Sequence, residues 1–298
     1  MSIFGFIIRQ YNKYVGIPFL QRKLNSICIV DSMGSIRYII ENRCSVSRFG
    51  DGEFDVLLGK NGNTFQKANT QLAELLKKVI TSVDAPNHMI GIPYPLKSTS
   101  GLRPLSRDFW GYYVKENLEN LLPYFSKDRN YLDTQLSRFY IAYKDKSHCK
   151  EHLALLKQIW DTRDIVIVEG RESRTGVGND LYDNANSIQR ILGLSTNAFD
   201  KYYEMLDVIR NNVSKDKLII LSYGMCATVL AYDLAKLGYW AIDLGHLDIE
   251  YEWMRMGATE NTPIKGKFTN EAGFEGRENI DECNDEEYQR QIIFDITK

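Results

Sequence analysis

The sequence predicts an α/β protein whose Rossmann-like, mainly parallel β-sheet is flanked by helices. Two observations carry this prediction: short β-branched or apolar runs recur along the chain, and amphipathic helical patterns separate them. Strands that alternate with helices form βαβ units, which build a parallel, doubly wound sheet. The 298 residues are 44% hydrophobic and 26% charged, a composition typical of a globular protein rather than a disordered chain.

The predicted strands are short apolar runs that end at Gly, Pro or polar residues. They cover Ser45–Phe49, Met89–Pro93, Phe139–Tyr143, Asp164–Val168, Lys217–Ser222 and Tyr239–Leu244. Helices are predicted between the strands from apolar residues at helical spacing. These stripes comprise Leu72, Leu75, Leu76, Val79 and Ile80, then Leu153 to Trp160, and finally Ala227–Leu237 before Gly238.

Charge and cysteine content exclude several classes of protein. With 37 basic and 39 acidic residues the formal net charge is -2, which argues against a nucleic-acid partner. The five cysteines are widely spaced and include no CxxC pair, so we expect neither a disulfide framework nor a zinc ribbon. These features predict a protein of the reducing cytoplasm.

The first 30 residues are predicted to form an amphipathic segment, and residues 31–298 to form one domain. Residues 1–23 combine four basic side chains and no acid with many large apolar residues. Two interpretations stay open: the segment packs on the domain, or residues 1–25 bind peripherally to the inner face of the cell membrane. No run of about 18 apolar residues occurs, so a membrane-spanning helix is not predicted.

Four polar clusters follow predicted strands, at the edge where parallel sheets carry their active sites. The first contains Asp51, Gly52 and Glu53. On an extended turn the two carboxylates aim at one cation, and such hard ligands suit Mg²⁺ or Mn²⁺. Gly52 lets the backbone approach a ligand, and Arg48 offers a guanidinium to a phosphate. Taken alone, this motif is more often a polar turn.

The second cluster is the loop Glu169–Asp180, which is rich in glycine and arginine. Its amides and guanidinium groups are able to cradle an anion before a helix that opens near its end. The candidate binding residues are Arg174, Gly176, Gly178, Asn179 and Asp180. The loop matches neither the Walker A motif nor GxGxxG, and a charged surface loop is an equally good interpretation.

The third cluster begins a predicted helix at Gly224, a further candidate anion site. Its Cys226 is either a reactive nucleophile or a small residue packed between helix and sheet. In the fourth cluster, Gly245–Met254, polar and apolar residues alternate. An extended conformation would place His246 and three carboxylates on one face, whereas a helix would place His246 one turn from Glu250.

Together the four clusters would supply a cation site, an anion cradle and a base at one edge of the sheet. These are the components needed to transfer a group from a nucleoside diphosphate.

Several of these segments resemble a bacterial glycosyltransferase family with the GT-D fold, formerly catalogued as a domain of unknown function. The matching segments extend through residues 33–298 and are SRFGDGEF (47–54), VEGRESRTGVGNDL (168–181), NAF (197–199), ATVLAYDLAKLGY (227–239), DLGHLDIEYEW (243–253) and GKFTNE (266–271). The resemblance implies a GT-D domain over residues 31–298. It also implies a UDP-sugar donor and a divalent metal, usually Mn²⁺ with Mg²⁺ as the alternative.

The resemblance further implies roles for individual residues. Asp51 and Glu53 belong to the metal–diphosphate element, His246 lies near the metal, and Glu252 is the general base; Asp248 is a further candidate for substrate binding. Inversion of the anomeric configuration is expected, which needs a single base. The expected reaction transfers a hexose to a hydroxyl of a glycan or lipid-linked glycan during capsule, lipopolysaccharide or glycoprotein assembly.

One position departs from the family pattern. Where relatives read Gly-Pro-Thr, this chain has Gly224-Met225-Cys226, and the lost hydroxyl predicts an altered phosphate or sugar contact. The sequence leaves two alternative functions open. One is a hydrolase or acyltransferase that uses Cys226 and His246, and the other is a nucleotide-sugar-binding subunit without turnover.

Overall fold

The computed structural model describes residues 15–64, 66–277 and 280–297. Nine described strands form one sheet in the order β1-β4-β3-β2-β8-β7-β5-β6-β9, and all neighbours are parallel. The predicted fold class is therefore confirmed. The strands are β1 (Cys28–Ile29), β2 (Ser45–Arg48), β3 (His88–Ile92), β4 (Asn130–Asp133), β5 (Asp164–Gly170), β6 (Ser187–Gly193), β7 (Leu218–Ser222), β8 (Trp240–Asp243) and β9 (Ile292–Asp295).

Helices pack on both faces of the sheet. They are α1 (Ile17–Arg22), α2 (Ser32–Asn42), α3 (Asp51–Leu57), α4 (Thr70–Thr81), α5 (Pro104–Leu121), α6 (Cys149–Lys157), α7 (Tyr202–Asn212), α8 (Gly224–Lys236), α9 (Leu247–Met256) and α10 (Glu286–Gln291). Successive strand residues point to opposite faces, so Ile165 and Ile167 belong to one apolar core and Val166 and Val168 to the other.

Helix α8 fixes the end of β2 at the middle of the sheet. Nearly all of its side chains are buried, as expected for a helix that is apolar on every side. Ser47 donates a hydrogen bond to the Thr228 carbonyl at 2.6 Å, and the Thr228 hydroxyl donates to the Arg48 carbonyl at 2.7 Å. These bonds set the direction in which the chain leaves β2.

Two predicted elements were wrong. The predicted strand Phe139–Tyr143 is a loop, and the strand that enters the sheet is β4, upstream of it. Phe139, Tyr140 and Ile141 are buried, and such a short buried apolar run cannot be distinguished from a strand by periodicity. The helix predicted near Asn179 is also missing, because residues 179–186 pass through turns directly into β6.

The N-terminal part of the described chain packs on the domain. Helix α1 lies against α5, and β1 pairs with β4 at the edge of the sheet. Within the described residues no helix is both long and apolar enough to cross a bilayer. The predicted membrane contact of residues 1–25 falls largely on residues 1–14, which lie outside the described residues, and it stays a prediction.

Candidate active site

A cavity of about 570 Å³ opens where the strands end, a volume typical of small-molecule sites. All four polar clusters contribute to its wall. Gly50 to Glu53 follow β2, Gly170 and Ser173 lie at the end of β5, and Ser222 to Met225 and Gly245 to His246 follow β7 and β8. Segments after β3, β4 and β6 complete it, so the cavity lies at the carboxyl ends of seven strands.

The Asp51-Gly52-Glu53 element begins helix α3 and is not the extended turn that the sequence suggested. Glu53 turns back, and its Oε2 accepts a hydrogen bond from the Gly50 amide at 2.7 Å, which caps the helix. Asp51 is exposed where it lines the cavity. The Tyr113 hydroxyl donates to the Asp51 carbonyl at 3.1 Å, so α5 holds this first turn in place.

Three carboxylates lie in this wall of the cavity, and nearby positive charges offset little of their negative charge. Burial, reinforced by Asp243, raises the pKa of Glu53 to about 7. Burial likewise raises the pKa of Asp243 to about 6, against the opposing effect of Arg48, and it raises the pKa of Asp51. Desolvated acids that repel one another are stabilised by an added positive charge, so this wall favours a bound cation.

Arg48 lies beside these carboxylates. Its Nη1 is 3.5 Å from Asp243 Oδ1, and its Nε is buried without a hydrogen-bond partner among the described residues. Gly245 makes room for this side chain, since it has a φ of +51° and a Cβ there would overlap Arg48 Nη1. The guanidinium is therefore only loosely paired where it lines the cavity, and the phosphate contact expected of Arg48 stays a prediction.

Gly245→Ala should lower turnover about 10- to 100-fold, because displaced catalytic geometry has effects of this size. The matched control is Gly257→Ala, since Gly257 has a φ of +65° and nothing within 4 Å of the added Cβ. The control should lose only about 1–2 kcal/mol of stability from the left-handed backbone. Steady-state kinetics and thermal unfolding of both variants test this, and equal kinetic losses would refute a role for the Arg48 position.

His246 is oriented by a residue that the sequence reasoning did not single out. Its Nδ1 lies 2.8 Å from Glu271 Oε1, and Arg138 also donates to that carboxylate. Burial opposes the charged form, but His246 and Arg138 hold the pKa of Glu271 below its usual range. The contacts of Nδ1 with Glu271, and with Arg138 at 3.2 Å, fix the orientation of the imidazole ring, and a cation held by His246 would bind at Nε2.

The side chains in this cavity suit a divalent cation whose remaining ligands would come from a bound substrate. In the described part of the chain, no three His, Cys, Asp or Glu side chains form a ready-made metal cluster. Asp51, Glu53 and His246 nevertheless line one cavity, together with Asp243. Carboxylates that hold a cation jointly with substrate phosphates are the usual arrangement for ions of this class. The residues predicted as metal ligands are thus brought to one cavity.

Helix α9 separates two glutamates that the sequence left on one face. Glu250 lines the cavity with its side chain fully buried. Its Oε2 accepts hydrogen bonds from the amides of Tyr140 and Ile141, both at 2.9 Å. Its Oε1 has no partner among the described residues. Two residues along a helix point in nearly opposite directions, so Glu252 lies on the other side of α9.

Glu252 belongs to a polar clasp that holds the loop after β5. Its Oε1 accepts a hydrogen bond from Asn179 at 2.6 Å and lies 3.4 Å from Lys267. Asp248 accepts from the Gly176 amide at 2.9 Å, from Asn179 at 2.7 Å and from Lys267 at 2.7 Å. None of these side chains is part of the cavity wall.

The remaining loop candidates also have structural partners. Arg174 donates to the carbonyls of Gly266 and Asp281, and Asp180 accepts from Tyr251 and pairs with Lys157. Gly178, with a φ of +75°, has nothing near an added Cβ. The cavity is bounded instead by Gly170 and Ser173. Substrate binding by residues 174–180 stays a prediction, and their observed contacts fasten the 264–281 segment to the sheet.

The Gly224-Met225-Cys226 segment divides between cavity and core. Gly224 has a φ of +53° and lines the cavity with Met225, whose Cε would lie 2.7 Å from a Cβ at Gly52. Cys226 is completely buried, and burial raises the pKa of its thiol well above the usual range. The alternative of a Cys226 nucleophile was therefore wrong, and the departure from the family pattern that reaches the cavity is Met225.

A glycosyltransferase is the class of protein that this fold and cavity define. The profile of the family described as "Glycosyltransferase GT-D fold" matches residues 46–272. The chain belongs to this family.

Sequence relatives and solved structures agree. The chain is 33% identical over 290 residues to "Glycosyltransferase GlyD" of Streptococcus pneumoniae serotype 4, which covers 96% of this chain and 35% of that protein. It is 34% identical over 284 residues to "Probable glycosyl transferase Gly" of Streptococcus gordonii, covering 95% of this chain and 41% of the relative. The chain thus spans well under half the length of these curated relatives.

Two solved structures share the fold. One, described as a highly conserved domain of unknown function 1792 with a distinct glycosyltransferase fold, superposes with a TM-score of 0.87 at 36% identity and covers 95% of this chain and 99% of that chain. The other is described as a new glycosyltransferase from Streptococcus sanguinis and has a TM-score of 0.84 at 34% identity, with 90% and 99% of the two chains covered.

Proposed function

We propose that the chain transfers a hexose from a UDP-sugar to a hydroxyl of a glycan acceptor, with a divalent cation, Mn²⁺ before Mg²⁺, and with inversion. The observation that carries this proposal is the wall of three carboxylates beside Arg48 in the cavity of a glycosyltransferase: Asp51, which is exposed to the cavity, and Glu53 and Asp243, whose pKa values burial raises. Capsule, lipopolysaccharide or glycoprotein assembly is the proposed setting, with a free or lipid-linked glycan as acceptor.

Different residues of the chain would bind the cation, bind the diphosphate and orient His246. Asp51, Glu53 and His246 would hold the cation, which when bound would offset negative charge on a departing diphosphate. Arg48, whose guanidinium is only loosely paired with Asp243, would contact the diphosphate directly. Gly52 leaves room for the Met225 side chain, whose Cε would lie 2.7 Å from a Cβ at Gly52, and Glu271 holds the His246 ring in one orientation.

Two carboxylates compete for the role of base. Glu252 is the base expected from the resemblance, but its carboxylate faces Asn179 and Lys267 in the clasp. Glu250 belongs to the cavity wall, its Oε1 is buried without a partner among the described residues, and two amides fix its other oxygen. A base must reach the proton that it removes. We therefore favour Glu250, and the expectation for Glu252 remains a prediction that the same experiments test.

The defining experiment measures UDP release from a panel of UDP-sugars with Mn²⁺, with and without a chelator. We expect release that the chelator abolishes and that Asp51→Asn lowers by at least the roughly 10- to 100-fold seen when metal-supporting residues are changed. Asp55→Asn is the control, because Asp55 lies on the same helix, pairs with Lys60 and is not part of the cavity wall.

Turnover that persists in chelator, or equal losses in the two aspartate variants, would contradict the metal role. Release from GDP- or TDP-sugars alone would retain the transferase and overturn the proposed donor.

A further inference from the structure

An exposed apolar stripe runs along helix α5 and reaches the mouth of the cavity. Leu105, Phe109 and Tyr112 are exposed by 70%, 45% and 67%, and their spacing of four and then three residues aligns them on one face of the helix. We call these three residues the α5 rim. The opposite face of α5, which includes Val114 and Leu118, is fully buried and already packs the helix on the domain.

The α5 rim is continuous with the active cavity. Leu105 and Phe109 belong to the cavity wall, and Tyr112 lies one turn further out along the same stripe. Asp51 and His246 line the same cavity. A substrate whose reactive group lies inside the cavity, and whose remainder projects outward past Phe109, would therefore pass along this stripe.

The rim is held rigidly. Arg103, which precedes α5, donates to the Thr259 carbonyl at 2.8 Å and to Asn261 Oδ1 at 3.0 Å. The packing of α1 fixes the middle of the helix, where a Cβ at Gly111 would come within 2.9 Å of Ile17 Cδ1. A platform that is already ordered loses little conformational entropy when it binds.

The chemistry of the rim suits a neutral saccharide better than an anionic bilayer. A pyranose ring has an apolar C–H face and hydroxyl-bearing edges, and flat aromatic side chains cover such a face while polar neighbours contact the edges. Helix α5 carries two basic residues, Arg107 and Lys115, and three acidic ones, Asp108, Glu116 and Glu119, so it has no excess of positive charge. A surface that binds anionic lipid would carry an excess of basic residues.

We propose that the α5 rim is the acceptor-binding surface, on which Phe109 and Tyr112 stack against sugar rings of the glycan that receives the hexose. This inference rests on the glycosyltransferase activity of the family and not on the identity of the donor or the metal.

The test measures binding of the intact protein to glucose-, galactose- and N-acetylglucosamine-containing di- and tetrasaccharides by calorimetry, without donor turnover. The Phe109→Ala/Tyr112→Ala double variant should bind the best saccharide at least tenfold more weakly. Phe109→Tyr and Tyr112→Phe should bind as the wild type does, because they keep the aromatic faces. Tyr38→Ala, which removes an exposed tyrosine on α2 outside the cavity wall, is the matched control.

Three results would overturn the proposal. In the first, the wild-type protein binds no saccharide of the panel at millimolar concentration. In the second, the double variant binds saccharide as well as the wild type does. In the third, the double variant keeps saccharide binding but loses binding to phosphatidylglycerol vesicles. Saccharide binding is measured without UDP or Mn²⁺. The binding result can therefore be interpreted even if metal-dependent UDP release is not observed. Thermal unfolding confirms that each variant is folded.

Discussion

Glu250→Gln is expected to lower kcat by about 10²- to 10⁴-fold, the usual contribution of a positioned general base. The amide oxygen of glutamine can still accept the hydrogen bonds that the Tyr140 and Ile141 amides give to Glu250. The loop therefore keeps its anchor, and the change replaces only the buried carboxylate oxygen that has no partner among the described residues. Donor KM should stay close to that of the wild type. Steady-state kinetics of the purified variant, with UDP binding measured separately, checks this result.

Glu252→Gln is the matched control on the same helix. Its carboxylate contacts Asn179, Lys267 and Arg255, so this change should mainly reduce stability and leave kcat within a few-fold of the wild type. If Glu252→Gln abolishes turnover and Glu250→Gln does not, then the role expected from the resemblance is right and our assignment is wrong. If both variants are fully active, neither residue is the base.

Arg190→Met should destabilise the protein by about 3–5 kcal/mol, because it leaves a buried carboxylate unpaired. Arg190 Nη1 donates to Glu169 Oε1 at 2.7 Å and to the Thr175 carbonyl at 2.9 Å, and both side chains are almost completely buried. Glu169 also accepts a hydrogen bond from the Thr175 amide. Urea unfolding measures the free-energy loss, and the midpoint of thermal unfolding should fall by on the order of 10 °C.

A double-mutant cycle separates the buried charge from simple loss of packing. Adding Glu169→Gln to Arg190→Met removes the uncompensated carboxylate, so the double variant should be more stable than the sum of the single losses predicts. Strict additivity would show that the pair is not coupled. If Arg190→Met lowers the free energy of unfolding by less than about 1 kcal/mol, the pair stabilises the protein no more than a surface ion pair does.

The sequence predicted most of the central sheet because buried parallel strands are continuous apolar runs. β2, β3, β5, β7 and β8 were found within a few residues of their bounds. β6 was missed because its first half is polar and because Arg190 interrupts its apolar run. Arg190 can be buried there because Glu169 pairs with it. β1 has two residues, too few for any pattern.

The sequence predicted where the candidate site lies but only some of the residues that form it. Strand order places Asp51 and His246 at one edge, and local sequence reveals both. Arg138 and Glu271 reach the cavity from loops more than 100 residues apart in the chain, and no periodic pattern encodes such a contact. The glycines and arginines of residues 174–180 suggested an anion cradle because their partners, such as Asp248, lie far along the chain. The GKFTNE motif was the one available signal for Glu271.

The order of strands has a consequence for how the molecule assembles. β1 to β4 form one side of the sheet and β5 to β9 the other, and the two sides meet only where β2 pairs with β8. Ser45 Oγ accepts a hydrogen bond from the Ala241 amide across 196 residues of chain. Contacts so distant in sequence close late in folding, so the growing chain exposes the edge of β2 until β8 has been synthesised. Such an edge is a site for mispairing, and catalytic competence can appear only when this seam has closed.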